Sequence, residues 1–127
     1  LGSTISNYDW SVTVNAFTAN ATEQVLAASP YSDEPPEGQT YALVNVTITR
    51  LAAEAESPRA VRVIYVSNSG NTYDHTYVTP PDEIDMNDLY GGGTVTGNVV
   101  IPIPENDEGV LEVRLGYRTA KVFVATS

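Results

Sequence analysis

The chain has no cysteine. That excludes disulfide frameworks, thiolate nucleophiles, zinc–thiolate sites and iron–sulfur clusters together. It leaves the compartment open, since cysteine-free domains occur on both sides of a membrane. Cations are scarce as well: six basic residues stand against 16 acidic ones, for a net charge of −10. The six are Arg50, Arg59, Arg62, Arg114, Arg118 and Lys121, scattered along the chain. Gripping a phosphate backbone takes several cations on one face, so nucleic acid and anionic lipid are unsuitable partners. The acidity reads instead as solubility and long-range repulsion of other acidic polymers. No apolar run approaches the roughly 18 residues that span a bilayer, and there is no internal repeat. The nucleophile motif Gly-x-Ser-x-Gly is missing too, so no serine is placed to work with the one histidine, His75.

What is present reads as strands. A chain of 127 residues with 42% hydrophobic content suits a single domain over 1–127 with one core, its first residues (1–8) forming a flexible N-terminal segment. The first residue is Leu1 rather than methionine, as expected of a trimmed or mature form. An export signal or lipid-attachment cysteine upstream is compatible with that, and only such an anchor would tie the chain to a membrane.

The stretch from Leu89 to Pro104 is the most informative. Gly91-Gly92-Gly93 reads as a turn. Val95, Gly97, Val99, Ile101 and Ile103 then alternate with Thr94, Thr96, Asn98 and Val100, the period of a strand with one buried face. Pro102 and Pro104 share the second parity, so both missing N–H donors face the same lateral neighbour. Such a strand lies at a sheet edge, or loses its partner there.

Similar alternation marks strands over 9–18, 39–49 and 111–115, and a short one over 122–124. Residues 59–67 are apolar on both parities, as in a central strand. Ser67-Asn68-Ser69-Gly70-Asn71 is a hairpin turn, with the returning strand over 72–78. Residues 19–26 form at most a short helix, and 29–38, 51–58 and 80–88 read as loops. The pattern predicts an all-β fold, an immunoglobulin-like antiparallel β-sandwich of about seven strands. Trp10, Val12, Val46, Ile48, Val63, Tyr65, Val99, Ile101, Leu111, Val113, Leu115 and Val122 are expected to fill its core.

Three segments resemble one family: Gln39 to Ile48 its first long central strand, Val63 to Tyr73 its strand with a Ser-Gly turn and following tyrosine, and Leu89 to Pro104 its glycine-turn strand. The family comprises bacterial secreted lipoproteins and cell-envelope proteins related to a small immunogenic antigen secreted by mycobacteria, largely described as a domain of unknown function. The resemblance implies an immunoglobulin-like sandwich outside the cytoplasm, secreted or lipid-anchored. It supplies no catalytic residues. Arg50 stands where the family often has Asn, and Gly91 where Pro commonly precedes the glycine.

Two clusters carry candidate chemistry. On a strand, Tyr73, His75 and Tyr77 would share one face, a platform suited to a sugar ring or peptide; the plainer reading is half-buried sheet tyrosines with their hydroxyls in water. Asp82, Glu83, Asp85 and Asp88, with Asn87, offer oxygens that calcium could use. Their spacing fails the EF-hand pattern, because Tyr90 stands at the required glycine and Thr96 at the closing glutamate, so a solvated acidic loop is the simpler account. The sequons Asn20-Ala21-Thr22 and Asn45-Val46-Thr47 read as chance. The expectation is a non-enzymatic extracytoplasmic domain with a binding or structural role in the envelope and a protein or glycan partner; the alternative is a carbohydrate- or peptide-binding module using the aromatic face. No cofactor beyond calcium is anticipated.

Overall fold

Trp10, Val12 and Val14 are buried while Ser11 and Thr13 face outward, so the period of two in β2 (Trp10–Thr18) directs one parity into the core. The computed structural model describes residues 1–30, 32–76, 78–116 and 121–126. The remaining elements are β1 (Thr4–Ser6), α1 (Thr22–Ala28), β3 (Gln39–Arg50), β4 (Val61–Val66), β5 (Thr72–Tyr73), β6 (Thr94–Pro104), β7 (Val110–Leu115) and β8 (Val122–Ala125), with a 3₁₀ turn at Pro58–Ala60. They form two four-stranded sheets, ordered β1-β2-β3-β6 and β5-β4-β7-β8, and all strand pairs are antiparallel. The fold is an all-β sandwich, with one strand more than the sequence suggests. The extra strand is β1. Residues 1–8, expected as a flexible segment, place Thr4, Ile5 and Ser6 opposite Thr13, Val12 and Ser11. Asn7 makes the reversal tight, its Oδ1 accepting the Asp9 and Trp10 amides at 2.9 and 2.8 Å.

The core lies between the sheets. Trp10, Val12, Val44, Val46 and Ile101 from the first meet Tyr65, Leu111 and Val113 from the second, all at most 1% exposed. Three expected core residues are only half-buried: Val63, Val99 and Val122. Each sits where its strand lacks a lateral neighbour. Val99 and Val122 belong to edge strands. Val63 lies beyond the reach of β5, which pairs only with Tyr65 and Val66.

The weak helix forms. α1 packs Val25 onto Tyr41, Leu43 and Val100 on the outer face of the first sheet, making a second apolar cluster with Ala21. Thr22 anchors it there, its Oγ1 accepting the Tyr41 amide at 3.0 Å and pairing with the Thr40 hydroxyl at 2.9 Å. This explains why the first half of β3 is buried on both parities and the second half on one.

β6 is an edge strand, as its two prolines require. Its even-numbered residues direct their backbone groups away from β3, and part of that edge is covered by Thr76 and by a strap over residues 82–84. Thr76 N donates to Val100 O at 3.0 Å, Asn98 N to Asp82 O at 2.8 Å, and Ile84 N to Asn98 O at 3.1 Å. Pro102 and Pro104 lie beyond these contacts, at the end of the edge, where they present no N–H donors to another strand. Gly97 is obligatory here, because a Cβ would fall on the Ile84 backbone, 2.6 Å from its nitrogen. Ile84 itself is 3% exposed and joins the core.

Candidate functional site

The strand that would carry the aromatic platform stops short of His75. β5 ends at Tyr73, so no strand face aligns Tyr73 with His75, and Tyr77 lies outside the described residues. The cause is local. Asp74 Oδ1 accepts the His75 backbone N–H at 2.7 Å and lies 3.0 Å from its Nδ1, and this side-chain bond competes with continuation of the ladder. Tyr73 turns inward, half-buried, with its ring 6.4 Å from that of Tyr65. Asp74 also takes an ion pair from Arg62 at 2.7 Å. Burial opposes ionisation of Asp74, but the hydrogen bonds from Arg62 and from the His75 backbone and ring outweigh it and hold its carboxyl below the ordinary value.

The residues of the acidic connection have separate placements. Asp82 accepts the Asn98 N–H of β6 through its backbone carbonyl. Asp85 caps its own loop, accepting the Asn87 amide at 2.8 Å. Glu83 and Asp88 are exposed. Among the described residues, no three carboxylates or histidines converge as metal ligands.

At the end where β3 begins lie two open, adjoining clefts of about 310 and 380 Å³. Glu34, Glu37 and Glu105 line one, and Asp107 and Glu108 the other. Asp107 is already engaged: Tyr65 donates its hydroxyl to Oδ2 at 2.5 Å, and the Asn68 amide approaches both oxygens at 3.3 Å. The same hydroxyl accepts the Gly109 N–H at 2.8 Å. Burial first, then the bond to Asp107, pushes the Tyr65 pKa up to about 12. This carboxylate and phenol stitch two turns together.

The sheets' outer faces differ in chemistry. On the second, Arg62 lies opposite Arg114 across β4 and β7, a like-charge pair that would repel if bare. Each has its own carboxylate, Arg62 with Asp74 and Arg114 with the buried Glu112 at 3.3 Å, and Lys121 approaches Glu112 at 3.7 Å. On the first sheet, the register places Thr4, Thr13, Thr47 and Thr96 in one row across four strands, and Ser6, Ser11, Thr49 and Thr94 in the next. Hydroxyls pair along the rows at 2.7 Å (Thr4 and Thr13), 2.8 Å (Thr47 and Thr96) and 2.9 Å (Thr49 and Thr94). A third row is an amide chain: Asn15 donates to Asn45, Asn45 to Asn98, each at 2.9 Å, and Asn98 to Pro81 O at 2.8 Å. The bulge between Val14 and Ala16 lets Asn15 also reach Thr47, at 3.0 Å. Sequence reasoning missed this surface. Its signal was the polar parity of Ser11-x-Thr13, Thr47-x-Thr49 and Thr94-x-Thr96, which becomes a surface only when the register is known.

The arrangement of two four-stranded sheets now invites comparison with known proteins. The same sandwich occurs in a secreted mycobacterial protein. That protein, MPT63 of Mycobacterium tuberculosis, superposes with a TM-score of 0.69 over 98% of this chain and 93% of its own, at 12% identity. A candidate lipoprotein of Bacillus subtilis, ycdA, gives a TM-score of 0.65 at 13% identity, with 95% of this chain covering 37% of that one. An uncharacterized β-sandwich protein of Clostridium difficile gives 0.61 at 12% identity, over 100% of this chain and 91% of its own. No protein-family model matches the chain, and no curated protein does. At these identities the likeness establishes a common fold.

Proposed function

We propose that the chain is an extracytoplasmic, non-enzymatic domain that binds a partner or serves a structural role in the bacterial cell envelope. The observation that carries this reading is how the polar side chains are used. At the clefts, Asp107 and Thr40 are spent on holding turns and α1 in place and the carboxylates of Glu34, Glu37, Glu105 and Glu108 are exposed on open rims, whereas the first sheet carries ordered rows of hydroxyls and amides on a broad face. A catalytic site concentrates convergent polar groups in a concave pocket; a binding sandwich presents a broad face. The sharing of this sandwich with a secreted protein and a candidate lipoprotein supports placement outside the cytoplasm.

Protease accessibility on intact cells that make the protein, followed by fractionation, tests it. The expected result is digestion of the chain, or its recovery from the medium, with a cytoplasmic marker left intact. Recovery only in the cytoplasm overturns the reading. Turnover of any substrate in a broad hydrolase and transferase screen overturns its non-enzymatic part.

A further inference from the structure

We infer that the polar half of the outer face of the first sheet, which no other described residue covers, is a binding surface for a neutral polysaccharide; this rests on the extracytoplasmic reading and names its ligand class. Three observations converge there. The first is charge. The chain carries 22 acidic and basic residues, yet both hydroxyl rows and the amide row are free of them. Polar residues on a solvated sheet are usually charged in part, so a wholly neutral face is the exception on this molecule.

The second is regularity. Neighbouring strands are about 4.8 Å apart, and same-face residues along a strand recur at roughly 6.8 Å, so the hydroxyls form a two-dimensional grid on the scale of successive sugar residues. Each hydroxyl carries one donor and two acceptor positions. Pairing Thr47 with Thr96 uses one of their two hydrogens and leaves the other for the ligand, together with a lone pair on Thr96, while Thr47 also accepts from Asn15; in the next row Thr94 gives its hydrogen to Ile48 O, so the pair with Thr49 offers acceptors. The pairs therefore hold their members oriented, which reduces the rotamer entropy lost on binding. The outer members Thr4 and Thr96 are exposed, and Thr13 and Thr47 between them half-exposed.

The third is aromatic. Tyr8 is 98% exposed and Tyr90 is 70% exposed. Both leave turns at the same end of the sheet, one between β1 and β2 and the other just before β6. Those turns are joined through the end of β3: Leu51 N donates to Asp9 O at 2.9 Å and Arg50 N to Gly93 O at 2.9 Å. An exposed phenol offers an apolar ring to a sugar and keeps its hydroxyl wet. Acidic polymers are disfavoured by the net charge of −10, and a neutral hydroxylated chain is the partner that remains complementary.

Affinity electrophoresis in gels containing a soluble neutral glucan, mannan or galactan tests the inference, with an anionic polysaccharide gel for contrast. Four proteins are compared: wild type, Thr47→Val with Thr96→Val, Tyr8→Ala with Tyr90→Ala, and Tyr73→Ala as a variant away from the face. The expected result is retardation of wild type and Tyr73→Ala in at least one neutral gel, with at least about tenfold weaker binding for the two face variants at unchanged melting temperatures. No retardation in any neutral gel, retardation confined to the anionic gel, or retardation unaffected by the face variants each overturns it. Protease accessibility is scored independently of these gels, so a protein found outside the cell that binds no glycan refutes this inference and spares the broader reading.

Discussion

Removing the Tyr65 hydroxyl isolates the strongest polar link between the two turns it joins. In Tyr65→Phe, Asp107 loses its 2.5 Å donor and the Gly109 N–H loses its 2.8 Å acceptor. A hydrogen bond to a charged group contributes roughly 1.5–3 kcal/mol, and a buried N–H left unpaired costs about 1–3 kcal/mol. Asp107 keeps the Asn68 amide and some water, so the total falls near the lower end, about 2–3 kcal/mol. Urea unfolding at pH 7 measures it. The pH dependence supplies a second, sharper test. The phenol's pKa rises from its ordinary 10.0 to about 12 in the folded state, so folding favours the protonated form. That stability is fully present below pH 10 and is lost as pH climbs toward 12. At about 1.4 kcal/mol per pKa unit, wild type should lose about 1 kcal/mol more than Tyr65→Phe between pH 9 and pH 11. Tyr41, whose pKa is also raised by burial and then by Asp33, cancels because both proteins carry it. A cost below about 0.5 kcal/mol at pH 7, or parallel alkaline limbs for the two proteins, refutes the reasoning.

Gly97→Ala drives a methyl into the Ile84 backbone and should lower stability by about 1–3 kcal/mol or more in the same unfolding assay; an unchanged midpoint would show that the strap shifts freely. Pro102→Thr with Pro104→Thr returns two outward donors to the β6 edge, and light scattering should then detect concentration-dependent association. A variant whose scattering matches that of wild type would show the edge is guarded by something else. Arg50→Lys keeps the charge but loses the guanidinium that lies 4.7 Å over the Trp10 ring and donates through Nε to Glu54 O at 3.0 Å. The expected loss is about 1–2 kcal/mol, and a Lys variant as stable as wild type would make the residue a mere charge. Calcium and EDTA should each leave the melting temperature unchanged, since the carboxylates of residues 82–88 do not converge; an upward shift with calcium would reveal a site that forms on binding.

The features legible in the sequence were those in which one strand carries its own evidence. Two prolines on one parity of β6 fixed its edge position, because a missing donor has a direction. The alternation in β2 and β7 fixed their inward faces. Illegible features depended on competition between local and distant partners. Continuing β5 past Tyr73 would have pitted a ladder bond against the Asp74 side chain, and the side chain prevails. Val100 sits on the polar parity of its strand yet is 1% exposed, because α1 covers it, and a seven-residue helix has too little periodicity to announce itself. Arg50, which departs from the resembling family's usual Asn, is 4% exposed; nothing in one sequence marks a cation for burial until Trp10 and Glu56 are found beside it.

The outer face of the first sheet shows how covering decides composition. At one end α1 lies over Tyr41, Leu43 and Val100, and the residues there are apolar. At the other end nothing among the described residues lies over the hydroxyl rows, and the same strands switch to threonine, serine and asparagine. Solubility alone explains a switch to polar residues, but it is served better by aspartate and glutamate, which the acidic loops show this chain uses freely. Threonine suits a strand through its branched β-carbon while keeping a short, oriented hydroxyl. A face built from it forgoes long charged side chains, whose rotamer entropy would be lost under a ligand, and keeps donors and acceptors at fixed heights above the sheet. The choice of neutral over charged residues on this half of the face, rather than the switch from apolar to polar, is what points to a neutral partner.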